Sequence, residues 1–119
     1  MESFEVDALC NVHCHLREGQ DITRDLIYLA MQGGADLLAP MPNTKDGLTT
    51  AKGVIVYHNE LEVSVRRHAA VTFMPIVMVN ELTDFDTLKN CVENGIKSCK
   101  VYPLNRTTKS HNGVRNYSL

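Results

Sequence analysis

The chain has 119 residues, 44% hydrophobic and 22% charged, a balance ordinary for a globular domain and enough for one modest core. A net charge of -2 argues against a general affinity for nucleic acid or anionic membrane, and no stretch approaches the roughly 18 apolar residues of a membrane span. Residues 1–7 lack the positive flank and apolar run of a secretory signal, and the four cysteines form no C-x-x-C pair, so Cys10, Cys91 and Cys99 are expected as buried free thiols of a cytoplasmic protein.

In chain order, strand and helix alternate. Ala8 to His15 is a short apolar run, read as a strand. Asp21 to Gln32 reads as a helix with Ile22, Leu26, Leu29 and Ala30 on its inner face, stopped by Gly33-Gly34. Ala35 to Met41 is a continuous apolar strand leaving into Pro42-Asn43. Thr50 can cap a second helix reaching about Arg67, with Val54, Leu61 and Val65 inward and His58 near that face. Val71 to Val79 is the most strand-like segment. Thr83 with Asp86 suggests a capping-box variant for a third helix, with Phe85, Leu88 and Val92 inward and a stop at Gly95. Ile96 to Tyr102 is a fourth strand. From Leu104 the pattern dissolves, so residues 104–119 are expected as a polar, flexible tail behind a domain of residues 1–103. No acidic residue follows Glu93, yet the cations there (Lys97, Lys100, Arg106, Lys109 and Arg115) are read as a solvated segment.

The order βαβαβαβ predicts an α/β fold with a parallel sheet. Periodicity alone does not separate an open doubly wound sheet from part of a (β/α)8 barrel, which typically needs about 250 residues.

The first strand ends in His13-Cys14-His15-Leu16-Arg17. Alternation sends His13 and His15 to one face and Cys14 to the other. Two imidazoles about 7 Å apart along a strand can converge on one metal ion, at the strand end where barrel enzymes place their sites. His-x-His by itself is weak, since such pairs are often surface or core residues. Lys100, inside the apolar fourth strand, is costly to bury as a cation. Either it snorkels to water, or its neutral amine takes up carbon dioxide to become an anionic carbamate ligand.

The histidine pair with Leu16-Arg17, then Met41-Pro42-Asn43, then Lys100-Val101-Tyr102-Pro103 followed by Thr107-Thr108 and Gly113-Val114, resemble the class II dihydroorotases of the amidohydrolase superfamily. The resemblance implies the N-terminal half of a TIM-type barrel. It implies that His13 and His15 bind one zinc of a binuclear Zn2+ pair, that carboxylated Lys100 bridges both metals, and that Arg17 and Asn43 hold the carboxylate of dihydroorotate or carbamoyl aspartate. A planar guanidinium suits bidentate capture of a carboxylate. If extended geometry persists past His15, Arg17 lies on the metal-facing side.

The same resemblance implies two later histidine ligands and a proton-transferring aspartate, for which the chain offers no counterpart. His58 reads as a helical residue, His68 falls at the wrong end of the sheet, and His111 lies in a polar loop. Asn11 stands where many relatives have aspartate, which touches a supporting contact and not a ligand. The expectation is a truncated chain, inactive alone, that forms a homodimer through exposed sheet edges or pairs with a complementary barrel half, with no nucleic-acid or membrane partner. Rival readings are another cyclic amidohydrolase of the hydantoinase or allantoinase type, and a non-catalytic half-barrel with an interaction or regulatory role.

Overall fold

The computed structural model describes residues 5, 7–65 and 70–115. His68, the end of the expected second helix and the last four residues lie outside these. The elements are β1 (Cys10–Cys14), α1 (Gln20–Gln32), β2 (Leu37–Pro40), α2 (Ala51–Val65), β3 (Thr72–Phe73), β4 (Ile76–Val79), α3 (Phe85–Glu93) and β5 (Ser98–Val101). Every strand pairing is parallel: β1 with β2, β2 with β3, and β4 with β5. The expected α/β alternation with a parallel sheet is therefore present.

One expected strand is two. The run from Val71 to Val79 breaks at Pro75, whose missing N–H cannot join a ladder. Before the break, the Met74 amide donates to the Leu38 carbonyl of β2 at 2.9 Å. After it, the Met78 amide donates to Leu48 in the loop beyond β2, at 2.7 Å. The chain thus changes partner at the proline, and β4 is free to take β5 as its neighbour.

The core lies between the middle strands and the helices, and α2 supplies much of it. Val54, Leu61 and Val65 are buried as the periodicity predicts, joined by Ala51 and Tyr57. Thr50 Oγ1 accepts from the Gly53 amide at 3.2 Å, the capping role expected of it. Leu38, Phe73, Val77, Ile27 and Cys91 complete the cluster.

Two helix faces differ from expectation. On α1 the buried residues are Thr23 and Ile27, while Ile22 and Leu29 are about 60% exposed (59% and 62%). On α3 the buried residue is Cys91, and Phe85, Leu88 and Val92 face outward. Both helices pack against α2, and that docking, not apolar periodicity, decides which residues are covered. The cap of α3 is Asp84, whose carboxylate accepts from the Thr87 amide at 2.8 Å. Thr83 instead closes a turn, its hydroxyl accepting from the Asn80 amide. The stop of α1 is as read: Gly34, at φ 90°, adopts the left-handed conformation that a side chain resists. Cys10 and Cys99 are exposed, contrary to expectation, because β1 and β5 are the outer strands and have no covering layer on one side. Among the described residues no helix is long and apolar enough to cross a membrane.

Leu61→Ala is expected to cost about 2–5 kcal/mol in urea denaturation, whereas Val92→Ser on the outer face of α3 changes stability by less than about 0.5 kcal/mol. His58 gives a pH test. Its ring meets Tyr57 and Phe73 edge-on, and burial pushes its pKa down from 6.5 to about 4. The unfolded chain therefore binds the extra proton between those values. Stability from this group is complete above about pH 6.5 and is lost as pH falls towards 4, by roughly 1–3 kcal/mol. His58→Leu is expected to flatten that part of the pH–stability curve relative to the unsubstituted chain.

Candidate active site

The strands form two parallel sheets, β1-β2-β3 and β4-β5, and the chain runs on from β3 into β4, so the site is built where β1, β2 and β5 end. His13 on β1 and His15 just beyond its end bring their rings together, centroids 5.4 Å apart. Cys14 points the other way into the core, and burial pushes its thiol up to about 11. The Asn11 side chain accepts from the His13 amide at 3.1 Å, bracing the start of the motif. His15 is half-buried and its pKa is lowered. Burial is the main cause, followed by the charges of Arg17 and His13, while the Asn43 side chain acts in the opposite sense. The shift favours the neutral ring, the form in which imidazole binds a metal ion.

Arg17 reaches the site by a different route from the one expected. The strand ends at Cys14, and Arg17 has φ 63°, in the left-handed region. Its carbonyl accepts from the Tyr57 hydroxyl at 3.0 Å and from the Thr23 hydroxyl at 3.3 Å. The backbone here is a turn bonded to two hydroxyls, not a continuation of the strand.

At the β2 exit the Met41 amide donates to the Cys14 carbonyl at 2.8 Å, tying the second exit to the first. Asn43 is buried, donating from Nδ2 to the Thr108 carbonyl at 2.8 Å and accepting at Oδ1 from the Tyr102 hydroxyl at 3.3 Å. At the β5 exit, Lys100 is half-buried with Nζ 5.9 Å from the Tyr102 ring centroid. It makes no salt bridge among the described residues. Burial pushes the Tyr102 phenol up to about 12, so it remains a donor.

Residues 104–115 fold back over this end. The Leu104 amide donates to Val114, and the Val114 amide to Tyr102. Gly113 is required there, since a Cβ would stand 2.5 Å from the Tyr102 carbonyl. Lys109 Nζ lies 2.7 Å from Glu18, whose carboxylate also accepts from the Lys45 amide and is held below its ordinary pKa by these contacts despite partial burial. The polar side chains of this segment bond to the chain itself: Ser110, fully buried, bonds to Thr107, and Asn112 to Asp46.

His13, His15, Arg17, Asn43 and Lys100 all line one pocket of about 350 Å³, with Tyr102, Thr107 and Thr108 among its other walls. A larger hollow of about 430 Å³, lined by Arg106 and Arg115, contains no imidazole or carboxylate among its lining residues. His58 and His111 line neither. Among the described residues there is no group of three or more histidine, cysteine or acidic side chains able to hold a metal ion. The pocket is lined by two imidazoles and one amine, with no carboxylate among its lining residues.

A parallel α/β sheet with histidines, a lysine and an arginine at its carboxyl end is the arrangement of part of a (β/α)8 barrel enzyme. The chain is dihydroorotase-like. It is 29% identical over 104 residues to a dihydroorotase of Coxiella burnetii, covering 87% of this chain and 29% of that protein. It is 31% identical over 107 residues to one of Helicobacter hepaticus, covering 88% of this chain and again 29% of that protein. No family model matches. Among solved structures, dihydroorotase of Saccharomyces cerevisiae in complex with 5-fluoroorotic acid superposes with a TM-score of 0.78 at 27% identity, over 88% of this chain and 28% of that one. Dihydroorotase of Campylobacter jejuni superposes with a TM-score of 0.80 over 98% of this chain and 35% of that one, at 20% identity, a likeness of fold. The chain thus spans about 29% of the length of the curated relatives it matches.

His15 is expected to protonate below the ordinary imidazole range in an NMR titration. Arg17→Ala, which removes one neighbouring positive charge, raises that midpoint. An unchanged midpoint would show that the guanidinium does not face the ring.

Proposed function

We propose that this chain carries the first part of a dihydroorotase-type site, that of a zinc-dependent cyclic amidohydrolase. The reaction is the reversible ring opening of dihydroorotate to carbamoyl aspartate. The observation that carries the reading is the convergence of His13, His15, Lys100, Arg17 and Asn43 on one pocket. The dihydroorotase relatives and the yeast structure, whose own complex holds a ring carboxylate analogue, support it.

His13 and His15 would hold the metal through neutral imidazoles, and Lys100, once its amine has taken up carbon dioxide, would add an anionic oxygen. Zinc, when bound, supplies Lewis-acid polarisation of an amide carbonyl and water activation near neutral pH. Arg17 would grip the substrate carboxylate through its planar fork. Asn43 would add one neutral donor: one amide hydrogen is committed to Thr108, and Tyr102 fixes the orientation of the group. Glu18 does not compete for the substrate position, because Lys109 and Lys45 already satisfy its carboxylate. No residue of the pocket is placed to act as the aspartate that moves a proton between water and leaving nitrogen, so the chain alone is expected to be inactive.

The incomplete donor set favours a second reading, a half-barrel that acts through a partner. Its outer strands β1 and β5 present unpaired backbone, suited to a second copy or to a complementary barrel half. Light scattering is expected to show a dimer, and a monodisperse monomer would count against association through these edges.

Zinc titration by calorimetry is the direct test. Weak binding is expected, tightened by bicarbonate. His15→Ala abolishes it, and Lys100→Ala removes only the bicarbonate-dependent part. Zinc binding unaffected by His13→Ala and His15→Ala together would overturn the metal assignment. Dihydroorotate turnover is expected to be absent from the pure chain and restored on mixing with a complementary half. Preference for hydantoin over dihydroorotate in the completed enzyme would favour the rival amidohydrolase class.

A further inference from the structure

We infer that Tyr57 is a positioning residue for Arg17, setting from the middle of α2 where the carboxylate-binding guanidinium points; the inference rests on the role proposed for Arg17. Arg17 is a non-glycine residue at φ 63°, a conformation disfavoured for residues bearing a Cβ and held only where surrounding contacts impose it. The contacts are explicit. The Arg17 carbonyl receives the Tyr57 hydroxyl at 3.0 Å and the Thr23 hydroxyl at 3.3 Å. Both donors are buried, Tyr57 at 5% and Thr23 at 4% exposure. Tyr57 lies 40 residues away in the chain, so the bond forms only when α2 docks on the sheet.

The peptide on either side of Arg17 has no strand partner to orient it, since β1 stops at Cys14. The residue that follows, Glu18, is tied by Lys109 and the Lys45 amide, and the one before, Leu16, is buried in the core. Between these two anchors the chain can bring the Arg17 side chain into the pocket or turn it out, and the carbonyl orientation decides which. Tyr57 holds that carbonyl on the core side. Its phenol is raised well above the usual range, by burial first and by the Glu18 charge next, so it stays a proton donor wherever the protein is folded. Phenylalanine would keep the packing of the ring and lose only this bond.

The test uses the full 119-residue chain with orotate, a planar ring carboxylate, as probe. Orotate affinity is expected to fall roughly tenfold in Tyr57→Phe, the effect of one lost hydrogen bond, and by less in Thr23→Val, whose bond is longer. Arg17→Ala abolishes binding, and adding Tyr57→Phe to it changes nothing further, because both act through one guanidinium. Full affinity in Tyr57→Phe, or orotate binding that survives Arg17→Ala and weakens further in the double variant, overturns the inference. A ligand-free readout separates this from the functional reading: the heteronuclear NOE of the Arg17 Nε–H, expected to be high in the unsubstituted chain and to drop in Tyr57→Phe while the melting temperature shifts by only a few degrees. An Arg17 side chain equally rigid in both proteins sinks the positioning role whether or not orotate binds. Absence of orotate binding to the unsubstituted chain, with the NOE drop present, sinks the proposed function and leaves the positioning role standing.

Discussion

Parallel pairing is the constraint from which the site follows. When neighbouring strands run the same way, every exit from the sheet lies at one end, and residues far apart in sequence meet there without needing contacts of their own. The Cα register of Cys14 with Pro40 brings the His13–Arg17 segment beside Met41–Asn43, and the register of Met78 with Lys100 carries the fourth chemical group to the same rim through β4 and β5. The break at Pro75 lets one stretch of chain serve both pairings. An antiparallel arrangement would send Lys100 to the opposite end from the histidines.

What gathers at that rim is mostly positive or neutral. Arg17 and Lys100 are basic, the pKa of His15 is lowered by burial first and then by its cationic neighbours, and the Glu18 carboxylate is paired with Lys109. Such a pocket attracts an anion and, in the absence of a further acidic ligand, holds a divalent cation poorly. Both consequences come from the same imbalance.

Rigidity comes from hydroxyls and amides more than from ion pairs. Tyr57 and Thr23 hold Arg17, Tyr102 and Thr108 hold Asn43, and Ser110 folds the segment that covers them. In a partly buried setting a neutral donor costs less to desolvate than a charge and points in a defined direction. The exposed ion pairs on α1 and α3 contribute little by comparison, since solvent screens them.

The alternation of strands and helices, the inner face of α2, the helix stop at Gly34 and the residues that line the pocket were legible from residue type and spacing. Each of these is a local matter: a period of two or 3.6, a glycine free to take positive φ, or a short motif whose chemistry is carried by residue type. Tertiary structure alone decided the rest. It chose Thr23 and Ile27 over Ile22 and Leu29, and Cys91 over Phe85 and Val92, because which residues of a helix are covered depends on what docks against it. It split the third strand, since a proline's effect depends on which neighbour needed its N–H. It packed residues 104–115, because a polar side chain reads the same in sequence whether it bonds to water or to a distant carbonyl. Arg17 shows the division most clearly: its place after the histidine pair was legible, but the turn it occupies is bonded to a hydroxyl 40 residues away, on a helix whose place no local pattern could specify.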